Sequence, residues 1–119
     1  MTMSFLSEVA AGVVIEPQRL SQSLRISQNE LASILGVSRD AVSKRARVNS
    51  PSVQQRLREM TDIINRVLPW AGGTLAAYAW YRSQSLPSFG DMTAEELVQG
   101  GRADDVRTYL GRIAQGGYA

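Results

Sequence analysis

The chain has 119 residues, 44% hydrophobic and 20% charged, a balance that suits one soluble globular domain or two small lobes sharing a core. It contains no cysteine and no histidine. That excludes a disulfide framework, a thiolate nucleophile, thiolate-bound zinc or iron–sulfur, and imidazole as a base or metal ligand.

The first fifteen residues, MTMSFLSEVAAGVVI, lack a basic start, and Glu8 interrupts their apolar run, so they do not read as a signal peptide. No segment reaches the roughly 18 apolar residues of a membrane-spanning helix. The expectation is a cytoplasmic protein with no membrane association. Val9, Val13, Val14 and Ile15 are apolar enough to pack, to swap between subunits or to dimerise. Strand signals are scarce.

Glu16-Pro17 opens a first predicted helix through Leu20 and Leu24, with Pro in the first turn. Ser27 followed by Glu30 has the form of a capping box ahead of Leu31, Ile34 and Leu35. Gly36 stops that helix and Ser38 caps the next, which carries Ala41 and Val42. Ser50-Pro51 starts a long helix in which Val53, Leu57, Met60, Ile64 and Val67 recur at helical spacing. Pro69 and Gly72-Gly73 end it. Thr74 caps a helix through Tyr81 or Arg82, and Pro87 and Gly90 mark a loop. Thr93 and Glu96 form a second capping box before Leu97 and Val98, closed by Gly100-Gly101. Asp104 and Asp105 suit the first turn of a last helix, with Val106, Leu110 and Ile113 as one stripe and Gly116 as its cap. The fold class is all-α, with seven helices in two lobes. Residues 1–68 form a front lobe, 69–119 a back lobe, and the long helix over 52–68 joins them.

Charge separates the halves. Formal net charge is +2, with nine Lys/Arg and six Asp/Glu in residues 1–66 but three and five in residues 86–119. A basic front suits a phosphate-facing surface. Within it, LASILGVSRDAVSKR meets the demands of a helix-turn-helix. Ala32 is small where two helices cross, Gly36 supplies a left-handed turn, and Leu31, Leu35, Val37 and Val42 hold the second helix on the first. Arg45 stands where an apolar residue is frequent. A plain helical hairpin is the alternative. On the DNA-binding reading, Arg39, Asp40, Ser43, Lys44 and Arg47 lie on the outer face of the second helix and face the major groove. Gln28 and Ser38, at helix N-termini, hold backbone phosphates. One such unit makes few phosphate contacts, so a dimer on a two-fold operator is expected.

The back half, AWYRSQSLPSFGDMTAEELVQGGRADDVRTYLGRIAQGGYA, resembles the toxin-binding domain of the Xre/MbcA/ParS antitoxin family. The resemblance rests on Trp80, Pro87, Gly90, Thr93, Leu97, Gly101, Val106, Leu110, Ile113 and Gly116 in order. It covers residues 74–119 and extends over the front-half helix-turn-helix and the long apolar helix. Ala94 stands where the family often has Pro, and residues 1–15 have no counterpart. The resemblance implies an antitoxin of a type II toxin–antitoxin system. Its partner is a RES-domain toxin that degrades NAD or transfers ADP-ribose from it, and its helix-turn-helix represses the shared operon. It also implies a homodimer within a larger hetero-oligomer. By position it places Trp80, Gly116, Gly117, Tyr118 and Ala119 at the toxin, the last four at its active-site entrance. Two glycines permit close approach, and Tyr118 offers an aromatic anchor.

The alternative is a stand-alone helix-turn-helix repressor whose back half dimerises. An enzyme is not expected, and neither is a cofactor or a metal. The carboxylate pairs Glu95/Glu96 and Asp104/Asp105 are neighbours on helices, about 100° apart, and the helix dipole accounts for both.

Overall fold

The computed structural model describes residues 5–11 and 14–116. Gly117, Tyr118, Ala119 and Val13 lie outside the described residues.

Short elements come first: helix α1 (Phe5–Val9), then strands β1 (Ala10–Ala11) and β2 (Val14–Ile15), which pair antiparallel with Ala10 opposite Ile15. Neither α1 nor the strand pair was legible as regular structure in the sequence. They form because Phe5, Val9 and Ile15 are all buried in the main core. Packing here overrides weak local propensity.

The front half continues with α2 (Pro17–Leu24), α3 (Gln28–Leu35), α4 (Arg39–Ser43) and α5 (Arg45–Val48). The central helix α6 (Pro51–Ala71) has 21 residues, about 31 Å at 1.5 Å per residue. The back half holds α7 (Thr74–Ser83), a 3-10 turn at Pro87–Phe89, α8 (Ala94–Gln99) and α9 (Ala103–Ala114). The chain is therefore mostly helical, as expected. None of the helices among the described residues is long and apolar enough to cross a membrane.

Helix α6 organises the rest. It touches α1, β2, α3, α5, α7, α8 and α9. Its buried face is wide, from Val53, Leu57 and Met60 through Ile63, Ile64 and Val67, so it can be packed from both sides. One continuous core results. Leu20, Leu31, Leu35 and Val42 join α6 from the front, and Ala77, Tyr81, Leu97, Val106 and Leu110 join it from the back. Each fully buried side chain of this size contributes about 1.5–3 kcal/mol.

Several local expectations change. Pro69 does not end α6. It sits in the last turn, and the helix runs on to Ala71 before Gly72 closes it with φ of 88°. A Pro this near the end forfeits one ladder bond, to the Asn65 carbonyl, at an exposed position. Thr74 is the first residue of α7 rather than its cap, which is Gly73. The box at Thr93–Glu96 is complete. At Ser27 only half of one forms: its hydroxyl accepts from Glu30 N, while the Glu30 carboxylate accepts from the Tyr78 hydroxyl.

Candidate functional site

The α3–α4 corner is built from local signals. Ser27 caps α3 by accepting from Glu30 N at 3.0 Å. At the other end Gly36 adopts φ 70°, ψ 35°. Val37 N then donates to Ala32 O at 3.0 Å and Gly36 N to Ser33 O at 3.1 Å, a Schellman turn. Ser38 caps α4 by accepting from Ala41 N at 3.3 Å. Leu31, Ala32, Ile34, Leu35, Ala41 and Val42 are buried between the two helices and the core.

The remaining α3 carbonyls are closed by distant residues. Gln99 Nε2 on α8 donates to Ile34 O at 2.7 Å and Ser33 O at 3.2 Å. Arg56 Nη1 on α6 donates to Leu35 O at 2.6 Å. A Cβ at Gly36 would stand 3.3 Å from Gln99 Cγ. On the facing side Tyr78 on α7 donates its hydroxyl to Glu30 at 2.8 Å, and Arg82 bonds Glu95 at 2.8 Å. Burial first, then the bond to Glu30, pushes the Tyr78 phenol up to about 12, against an opposing pull from Arg82.

The sequence places Arg39, Asp40, Ser43, Lys44 and Arg47 along one second helix. The structure divides that helix. Lys44 is extended, with φ −93° and ψ 120°, and separates α4 from α5. Ser43 turns its hydroxyl back to Arg39 O at 3.0 Å. Beyond the break, Val48 O is held at 2.9 Å by Gln54 Nε2, so α5 is tied to α6. Arg39, Asp40 and Ser43 therefore sit on α4, Lys44 on the break and Arg47 on α5. All five are exposed.

Their partners differ. Arg39 Nη1 donates to Asn29 Oδ1 at 2.8 Å, which pins the guanidinium over the start of α3. Gln28, Ser43 and Arg45 line one polar depression of about 170 Å³ between α2, α4 and α5. Ser38 Oγ accepts from Ala41 N at the α4 cap, which leaves its O–H proton available to a phosphate oxygen. Asp40, Lys44, Arg45 and Arg47 have no side-chain hydrogen bond or ion pair among the described residues. The corner thus presents exposed positive charge beside two Ser-capped helices.

In the back half, Trp80 lies half-buried against the core. Gly116 follows α9 with φ of 87° and is exposed. The stripe from α9 buries Val106 and Leu110 fully and Ile113 in part. The loop before α8 is fixed by Phe89, whose ring meets Tyr109 edge-on at 6.1 Å with Arg102 5.5 Å above it. No group of three or more carboxylates placed to hold a metal occurs among the described residues.

Sequence reasoning missed Asn29, Gln54, Arg56 and Gln99. Each acts through a contact distant in the chain or through a side-chain amide, and neither leaves a periodic signal. It also missed Trp70 and Leu75, exposed by 46% and 42% at the α6–α7 corner. The uncharged run from Val67 to Tyr81 was the available sign of an apolar surface.

No family model matches the chain, and comparison with curated proteins and with solved structures finds no match.

Proposed function

We propose that this protein is a DNA-binding antitoxin of the Xre/MbcA/ParS type. In this reading α3, the Gly36 turn and α4 form a helix-turn-helix that reads operator DNA as a dimer. The back lobe binds a RES-domain toxin acting on NAD through Trp80 and the chain end from Gly116 to Ala119.

The observation that carries the DNA reading is the corner itself. Two Ser-capped helices meet at a left-handed Gly, and the exposed stretch beyond carries Arg39, Lys44, Arg45 and Arg47 against one Asp40. In this reading the first-turn N–H groups of α4 that lack intrahelical partners would contact phosphate. The break at Lys44 shortens the surface that enters the groove, so base contacts fall to Arg39, Asp40 and Ser43. Lys44, Arg45 and Arg47 then serve the backbone. The toxin reading rests on the ordered residue pattern of positions 74–119. The local geometry is consistent with it: a left-handed Gly90, a capped Thr93, a left-handed Gly101 and a left-handed Gly116.

The stand-alone repressor reading has one observation in its favour. Gln99, Arg56 and Tyr78 brace α3 from the back half and the central helix, so the back half has a structural role even without a partner.

Two assays test the proposal. Arg39→Ala with Lys44→Ala should abolish the gel shift of DNA from upstream of its own reading frame; an unchanged shift refutes DNA recognition by this corner. Coexpression with the adjacent reading frame should give a copurifying complex and suppress NAD loss. Deleting 117–119 should restore the toxicity. DNA binding without any such partner selects the repressor reading.

A further inference from the structure

A cleft of about 490 Å³ opens between the N-terminal strand pair, α6 and α9, and shares no lining residue with the α3–α4 corner. Its volume falls in the range of small-molecule sites, about 300–1,000 Å³. The floor is apolar: Leu6, Ala10 and Ile15. Leu6 is 37% exposed, so this apolar lining is open to a ligand from solvent.

The rim is charged but mostly neutralised. Glu59 meets Arg56 at 3.6 Å and accepts from Gln55 at 3.3 Å. Asp62 accepts from Arg107 at 2.7 Å and from Arg66 at 3.2 Å. Arg107 is held a second time by Asp104 at 2.9 Å. That leaves Arg58, an exposed guanidinium at the rim with no hydrogen bond or ion pair among the described residues. A dianion here would also meet the oxygens of Glu59 and Asp62. A cation would find both carboxylates already occupied. A single carboxylate carrying an apolar body matches both the floor and the guanidinium that is uncommitted among the described residues.

We propose that this cleft binds a small amphipathic carboxylate, with its apolar body on Leu6, Ala10 and Ile15 and its carboxylate on Arg58. Among the described residues the cleft shares no lining residue with the α3–α4 corner, Trp80 or Gly116, and the proposal does not depend on the DNA or toxin reading.

The test uses the full chain and octanoate as probe, followed by calorimetry and by amide shifts in a nitrogen-15 NMR titration. Saturable one-to-one binding is expected, with shifts confined to α1, β1, β2, α6 and α9. Arg58→Gln should weaken binding about tenfold or more, the effect of losing a charge-assisted bond. Leu6→Asp should abolish it. Both side chains are exposed, so both variants should keep the wild-type circular dichroism. Octanol and octylammonium should bind at least tenfold more weakly than octanoate. Non-saturating uptake, shifts elsewhere, equal binding of octylammonium, or wild-type affinity in Arg58→Gln would each overturn the proposal. Should Leu6→Asp fail to fold, Arg58→Gln and the two control ligands decide it alone.

Discussion

Gln54→Leu should destabilise this protein out of proportion to its size. Gln54 is 5% exposed and lies in the first turn of α6. Its Oε1 accepts from Ile15 N at 2.8 Å, and its Nε2 donates to Ile15 O at 3.0 Å and Val48 O at 2.9 Å. One amide thus closes the backbone of β2 and of α5 at once. Leu has nearly the same volume, so no large cavity follows. What is lost is hydrogen bonding inside a buried site. Leaving a buried donor without a partner costs about 1–3 kcal/mol, and the two carbonyls add a smaller amount because each has a second lone pair. A net loss of about 2–4 kcal/mol follows. At about 4 °C per kcal/mol for a domain of this size, the thermal midpoint should fall by roughly 8–16 °C. The assay is a melt by circular dichroism, with urea unfolding as a check on the slope. On the proposed DNA-binding reading, the variant should also weaken the gel shift, because α5 and its Arg47 lose their tie to α6. A midpoint within about 2 °C of wild type would show that water replaces the amide and that the site is not sealed.

Further outcomes are expected. Gly36→Ala should cost about 1–2 kcal/mol from the left-handed backbone alone, and more because Gln99 Cγ stands 3.3 Å from the new Cβ. A double-mutant cycle with Gln99→Ala, read by urea unfolding, should then be less than additive; strict additivity would separate the turn from α8. Tyr78→Phe should weaken the fold by ~1 kcal/mol at neutral pH, through the lost bond to Glu30. The Tyr78 phenol ionises near 10 when unfolded and near 12 when folded. Its contribution is therefore complete below about pH 10 and disappears as pH rises to about 12. Between those values the wild type should lose more stability than Tyr78→Phe, measured by urea midpoints across the range. Parallel pH curves would remove Tyr78 from the alkaline transition.

The braces on α3 bear on how the two halves act together. Arg56, Tyr78 and Gln99 meet α3 from three different helices, α6, α7 and α8. A partner that shifts α8 would move the carbonyl contacts of Ser33 and Ile34. On the proposed DNA-binding reading, a gel shift with Gln99→Ala and no partner present isolates this effect.

Much of the architecture followed from the order of residues alone. Helix α6 was legible because its apolar residues recur at the period of a helix over several turns. The ends of α3, α4 and α8 were legible because Ser27, Ser38 and Thr93 cap within three residues of themselves, and Gly36 and Gly101 turn within their own backbone. These are short-range effects, so a sequence can state them. The corner of α3 and α4 was legible for the same reason.

Tertiary structure decided the rest. Whether Phe5–Val9 coils depends on a core made mostly by α6, which no local window contains. Beyond the break at Lys44, Val48 O is held by Gln54 Nε2 of α6. Asn29, Arg56, Gln99 and Tyr78 matter through partners 10 to 65 positions away. The cleft under Leu6 exists only where the N-terminal strand pair meets α6 and α9. Short-range capping and periodicity fixed which segments are helices. Long-range packing decided whether α1 forms, what holds each helix in place, and which charges were left uncommitted among the described residues.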